Sequence, residues 1–212
     1  MSDLQLPCFL ARPTGPVRGG IVVGHEGTGL NNHVLRFTEE LAAEGYVAVA
    51  PDFFFRSGGP KEYEDFWEPI KAATGEQLKT DLASAIALLR QHGATSIGAT
   101  GFCMGGNMSY RAALWADELG VDAAVGFHGA SIVNELGELR CPTLLIWAGR
   151  DDYISTDDIE AVEAHHPGQS VVYPEAGHSF MRDDAESYHA ESAADAWPRL
   201  LAFFDEHLSQ DA

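Results

Sequence analysis

Short, continuously apolar runs alternate along the chain with longer amphipathic stretches, the pattern of strand–helix–strand units around a mainly parallel sheet. Gly20-Ile21-Val22-Val23-Gly24 has the length and β-branched content of a buried central strand. Asn32 through Glu44 places Val34, Leu35, Leu41 and Ala42 on one helical face, and Gly45 stands where a cap is expected. Tyr46 to Ala50 reads as a second buried strand, stopped by Pro51-Asp52. Gly75 to His92 carries helical spacing through Leu78, Leu82, Ile86 and Leu89. Ser96 to Thr100 is the next strand and Met104 to Glu118 the next helix. Val121 to Phe127 and Pro142 to Ala148 are two more strands, with Cys141 at the start of the second. Ser155-Thr156-Asp157-Asp158 opens a helix, because the Ser155 hydroxyl can accept from an early backbone N–H. Ser170 to Tyr173 is predicted as the last strand. The terminal helix carries Trp197, Leu200, Leu201, Phe203 and Phe204. Pro198 lacks a backbone donor and is expected to kink that helix or mark a restart.

With 212 residues and 45% hydrophobic content, the chain can bury a full core, and no linker divides it. The expectation is one α/β domain over 1–212, its central sheet flanked by helices on both faces. The formal net charge of -19 disfavours nucleic acid, and any anion site must rely on a local arginine or a helix terminus. The N-terminus lacks the basic flank and apolar core of a secretory signal, and no apolar run approaches the roughly 20 residues of a membrane span. Three cysteines, Cys8, Cys103 and Cys141, have neither disulfide nor metal-ligand spacing, which fits a reducing compartment. These features predict a soluble cytoplasmic protein, a monomer or small homo-oligomer.

Chemistry concentrates at Gly101-Phe102-Cys103-Met104-Gly105-Gly106, a thiol between close-packed glycines where a strand turns into a helix. Such an elbow strains the residue at its tip and needs small neighbours two positions away. It exposes Cys103 at the sheet edge beside the N–H groups that open the helix. An aspartate follows Pro142 to Ala148 at Asp151 or Asp152, and His178 follows the last strand. Reactive groups of such sheets gather at the carboxyl ends of strands. Nucleophile, acid and base therefore come in the chain order of an α/β-hydrolase, which is the fold expected. His178 would take and return the proton, the aspartate would hold its tautomer, and Cys103 would attack as thiolate. Gly24-His25-Glu26-Gly27-Thr28-Gly29 occupies the place from which this fold supplies an oxyanion donor, so Gly27 N–H and Met104 N–H are the expected pair. Glu26 is unusual there, because a negative neighbour raises a thiol's pKa. His128, at the end of Val121 to Phe127, is expected to point into the cleft, with His25 at its flank. Phe53-Phe54-Phe55 and Trp67 suggest an aromatic pocket wall, Phe54 among them. A zinc site of His25, His128 and Cys103 has no supporting ligand spacing, and no metal or other cofactor is expected.

The Gly-Phe-Cys-Met-Gly-Gly elbow, Glu26 in the first loop and Glu175-Ala176-Gly177-His178-Ser179-Phe180 together resemble the dienelactone hydrolase family, named for carboxymethylenebutenolidase, across nearly the whole chain. The resemblance implies a Cys-His-Asp triad at Cys103, His178 and, in Gly149-Arg150-Asp151, Asp151. It implies that Glu26 engages the resting cysteine until substrate shifts it, and that Arg182 pairs with a substrate carboxylate. The family's second arginine has no clear match, since Arg56, Lys61 and the acidic Glu62, Glu64 and Asp65 occupy its region. The activity implied is opening of an enol-lactone, or cleavage of a related activated ester, through an acyl-cysteine. A carboxylesterase or thioesterase of the same fold is the alternative. A non-catalytic ligand-binding or redox-sensing protein that keeps Cys103 for oxidation is the alternative of another class.

Overall fold

The computed structural model describes residues 6–58 and 75–208. Lys61, Glu62, Glu64, Asp65 and Trp67 lie outside the described residues. The described chain runs β1 (Cys8–Ala11), β2 (Gly19–Gly24), α1 (Asn32–Ala43), β3 (Tyr46–Pro51), α2 (Gly75–Gln91), β4 (Ile97–Phe102), α3 (Met104–Leu114) and α4 (Ala116–Leu119). It continues through β5 (Ala123–Phe127), a 3-10 turn (Ile132–Asn134), β6 (Thr143–Arg150), α5 (Thr156–His165), β7 (Ser170–Gly177) and α6 (Ala190–Leu208). One seven-stranded sheet results, ordered β1-β3-β2-β4-β5-β6-β7. All neighbours pair in parallel except β1, which lies antiparallel on β3.

Helices on both faces follow from the two-residue period of strands buried on both sides. Ile21, Val23, Ala48 and Ala50 point to one core, with Val34, Phe37 and Leu41 of α1 and Leu200 and Phe204 of α6. Their neighbours Val22, Val47 and Val49 point to the other, with Leu78, Leu82 and Leu89 of α2 and Met104 and Met108 of α3. Leu145 and Trp147 of β6 extend that second face over Ile159 and Val162 of α5. At about 1.5–3 kcal/mol for each large aliphatic side chain buried, this double core is what holds the layers together.

Several element boundaries differ from the sequence expectation. Asn31, one residue before the expected start, caps α1 by accepting from Val34 N–H at 3.0 Å. Gly45, at φ 100°, ends it. The helix expected over Met104 to Glu118 is two helices, because Trp115, at φ −101° and ψ 15°, leaves the helical path. Strand β5 begins at Ala123 because the Asp122 carboxylate instead accepts from Ile97 N–H at 2.7 Å. Cys141 lies half-buried two residues ahead of β6, outside the strand. Strand β7 extends through Pro174 to Gly177 rather than ending at Tyr173, since an edge strand tolerates a proline on its open side. The terminal helix shows no restart: α6 is one assigned helix through Pro198. Ala196, Leu200, Phe204 and Leu208, all buried at four-residue spacing, hold both sides of the proline to one core.

Candidate active site

Strand register assembles the site. Phe102 of β4 pairs with Phe127 of β5, so the next residues, Cys103 and His128, emerge side by side. Gly24 of β2 pairs with Gly101 of β4, which brings the His25-Glu26-Gly27 loop to the same rim. Beyond an irregularity at Ala148 and Arg150, Arg150 of β6 pairs with Gly177 of β7. Asp151 and His178 therefore leave the sheet together, and an Arg150–Glu175 ion pair braces the step below them.

His178 Nδ1 lies 2.8 Å from Asp151 Oδ2, whose side chain is fully buried, while Asp152 is exposed. That contact is made by Asp151 and not by Asp152. The second Asp151 oxygen accepts from Tyr153 N–H at 2.8 Å, and Tyr153 sets its ring edge-on to His178 at 4.7 Å. The Ser187 hydroxyl donates to the His178 carbonyl and fixes its backbone. Burial works against a charged ring here, but the bond to Asp151 and the charges of Cys103 and Asp151 outweigh it, and the His178 pKa is pushed up to about 10.

Cys103 sits at φ 54° between β4 and the first turn of α3, half-buried. Among the described residues, three non-glycines have positive φ: Cys103, His128 at 37° and Ser179 at 62°. All three lie at this rim, so the backbone strain of the described chain is concentrated there. Met104 N–H, at the first position of α3, has no intrahelical acceptor. Gly27 is buried in the facing loop.

Glu26 is 4% exposed, and its hydrogen bonds go elsewhere than to the cysteine. Oε2 accepts from Asn31 Nδ2 at 2.7 Å and from the Arg182 guanidinium at 3.2 Å, and Oε1 accepts from Ser179 Oγ at 3.0 Å. Among the described residues no hydrogen bond joins Glu26 to Cys103, which differs from the expected resting contact. Arg182 is shared between Glu26 and Asp184, with its Nε 2.8 Å from Asp184. Arg56 makes a bidentate pair with buried Asp81 at 2.8 and 2.9 Å and lies over the Phe55 ring.

Two expected cleft residues stand behind the rim instead. Phe54 is 1% exposed and packs edge-on against His25, because it must fill the space under the first loop. His128 is fully buried, its Nδ1 accepting from Cys103 N–H at 3.2 Å, so it faces the elbow from inside rather than the cleft. His25 bridges the loops that follow β2 and β3: Nδ1 donates to the Glu26 carbonyl at 2.7 Å and Nε2 accepts from Phe53 N–H at 3.1 Å. No group of three or more metal-ligating side chains occurs among the described residues. A cavity of about 270 Å³ between α1 and α6, lined by His33, Arg36, Phe37 and Trp197 among others, includes none of Cys103, Asp151 and His178.

The residues missed from sequence are Asn31, Ser179, Ser187 and Tyr153. Asn31 carried a readable signal, an amide just before a helical run. Ser179 and the Tyr153 ring are set by contacts distant in the chain, with Glu26 and His178.

The chain as a whole is similar to known proteins. Residues 6–208 match the Dienelactone hydrolase family. The chain belongs to that family. A Yersinia pestis protein named "Putative carboxymethylenebutenolidase" is 33% identical, the match covering 96% of this chain and 84% of that protein. One from Escherichia coli strain K12 with the same name is 30% identical over 96% of this chain and 83% of its own length. A crystal structure titled "Putative Dienelactone Hydrolase" from Klebsiella pneumoniae superposes with a TM-score of 0.84 at 29% identity, covering 95% of this chain and 93% of that one. A second structure, described as a dienelactone hydrolase-like promiscuous phosphotriesterase from metagenomic libraries, shares the fold with a TM-score of 0.76 at 23% identity, over 92% of this chain and 89% of that one. This member of the family is a hydrolase of the ester and lactone class with a small-molecule substrate. Among the described residues, no helix is long and apolar enough to cross a membrane.

Proposed function

We propose that this dienelactone hydrolase relative opens an enol-lactone, or cleaves a related activated ester, through an acyl-cysteine at Cys103. The observation that carries the reading is the 2.8 Å contact of buried Asp151 with His178 at the same rim as the strained Cys103 elbow. With Asp151 on Nδ1, the other ring nitrogen is left for the sulfur; the proton it holds is the one taken from the thiol, and the charges of Cys103 and Asp151 keep it on the ring. The thiolate attacks the acyl carbon, and the developing oxyanion is met by Met104 N–H and Gly27 N–H at the positive end of α3. His178 then returns its proton to the departing enolate oxygen, and the product ketonises. Water, deprotonated by the now neutral imidazole, attacks the thioester and frees the acid.

Glu26 and Arg182 set the resting state. Their contact, with Asn31 and Ser179, holds the carboxylate away from the sulfur. A substrate carboxylate on Arg182 competes with Glu26 for the guanidinium, which couples the charge around the elbow to binding. Arg56 is already neutralised by Asp81 and is therefore not assigned as a second anchor.

Replacing Cys103 with alanine is expected to abolish turnover of dienelactone and of aryl esters while the far-ultraviolet circular dichroism stays unchanged. An acid-quenched reaction of the unaltered enzyme should show the acyl mass on the peptide containing Cys103. Turnover retained by the alanine variant would refute the reading. A panel of lactone, aryl ester, acyl thioester and phosphotriester then ranks the acyl groups.

A further inference from the structure

Behind the elbow lies a histidine whose arrangement calls for a reason. His128 is fully buried, its backbone is strained at φ 37°, and its own N–H is tied to the Ile146 carbonyl at 2.7 Å. Its Nδ1 accepts from the backbone N–H of Cys103 at 3.2 Å, the same N–H that reaches the Phe127 carbonyl at 3.0 Å. An acceptor at Nδ1 leaves the ring proton on Nε2. That Nε2 is buried and finds no hydrogen-bond partner among the described residues. A phenyl ring would fill the same space, against Phe102, Phe127 and Phe180, without stranding a polar group. What the imidazole adds is the lone pair on the amide of Cys103.

We propose that His128 is a positioning residue for the nucleophile, its Nδ1 fixing the Cys103 amide so that the thiol stays aimed at His178 and the amide stays out of the oxyanion site. This rests on Cys103 being the nucleophile. The elbow is held at φ 54° by glycines on either side, which permit the strained conformation without enforcing it. A second acceptor on the Cys103 N–H restricts the peptide plane, and with it the direction of the Cα–Cβ bond. Its ring centroid is 4.3 Å from that of His178, so it also bounds the imidazole on the buried side. Burial and the neighbouring His178 both disfavour a charge on His128 and keep the lone pair available.

The test compares His128→Phe, which keeps the ring and removes the acceptor, with His128→Asn, whose amide oxygen can take the place of Nδ1. With an activated aryl ester, the phenylalanine variant should lose about tenfold to a hundredfold in kcat at unchanged KM, the cost of a misaligned attacking group. Asparagine should restore most of that loss. Wild-type kcat in His128→Phe would overturn the proposal, provided Cys103→Ala is inactive. An active Cys103→Ala would instead overturn the assignment of the nucleophile. Should either His128 variant fail to fold, the unaltered protein decides. A scalar coupling across the hydrogen bond from the Cys103 amide to His128 Nδ1, seen by nitrogen-15 NMR, supports the proposal, and a proton on Nδ1 defeats it.

Discussion

Gly105 and Gly24 meet backbone to backbone: a methyl group built on Gly105 would sit 2.1 Å from the Gly24 carbonyl oxygen. One on Gly101 would lie 2.6 Å from the same oxygen. The helix after the elbow therefore lies directly on β2, and this contact brings Cys103 alongside the Glu26 loop. Gly105→Ala should cost about 3 kcal/mol or more of stability, since only backbone stands in the way and backbone cannot step aside. Gly15→Ala meets nothing within 4 Å and should change stability by less than about 0.5 kcal/mol. Urea denaturation of the two variants checks both; equal midpoints would mean that the elbow is not tightly seated.

The His178 pair makes stability depend on pH with a definite sign. The folded ring holds its proton up to about pH 10, whereas an ordinary imidazole releases it near 6.5. Between those values the folded chain binds more protons than the unfolded one, so stability falls as pH rises through the interval. The contribution is complete below about pH 6.5. Asp151→Asn removes the strongest influence favouring the charged ring and should flatten the slope. From pH 6 to pH 10 the unaltered protein should lose at least about 1 kcal/mol more than the variant. Parallel stability curves would show that the carboxylate does not support the imidazolium.

Thiol labelling separates the three cysteines. Burial pushes the Cys141 thiol up to about 11 and, less strongly, raises that of exposed Cys8. Cys103 stands at the strained elbow, on the rim that also carries His178, the base the reading assigns to its thiol. At pH 7.5, iodoacetamide should modify Cys103 first and Cys141 last, and inactivation should follow Cys103 labelling one for one in peptide mass spectra. Cys8→Ser should leave that time course unchanged. Inactivation that tracked Cys8 or Cys141 would place the reactive sulfur elsewhere.

What could be read from sequence was whatever a local pattern determines. Apolar runs such as Ile21-Val22-Val23 marked the central strands because each face of the sheet is covered. Glycines at 101 and 105 marked the elbow because no other residue fits against Gly24. The antiparallel strand β1 was missed, since a four-residue edge strand needs only partial burial and leaves little hydrophobic trace. At the site, chain order indicated which residues gather, but side-chain direction depends on partners far away. Glu26 turns toward Arg182 and Ser179, more than 150 positions later, rather than toward the sulfur. His128 turns inward because its lone pair has the Cys103 amide to meet. Both outcomes belong to register between strands, which no single segment encodes.

Arg182 and Arg56 differ in what a substrate can draw from them. Arg182 is held by Glu26 at 3.2 Å and by Asp184, which is about half-exposed, and a carboxylate arriving from solvent can replace the longer of these contacts. Arg56 is clamped by both oxygens of an aspartate that is 4% exposed, and breaking that pair would leave a buried carboxylate uncompensated. Arg182→Gln should therefore raise KM about tenfold for a lactone bearing a carboxylate and leave KM for a neutral aryl ester unchanged, the loss of one charge-assisted contact. Arg56→Gln should leave both KM values within about twofold while lowering the urea midpoint, because its partner and not the substrate is what it serves. An Arg182→Gln variant with the same KM for charged and neutral substrates would remove the anionic anchor from the mechanism. A charge-selective rise in Arg56→Gln would move that anchor to the loop after β3.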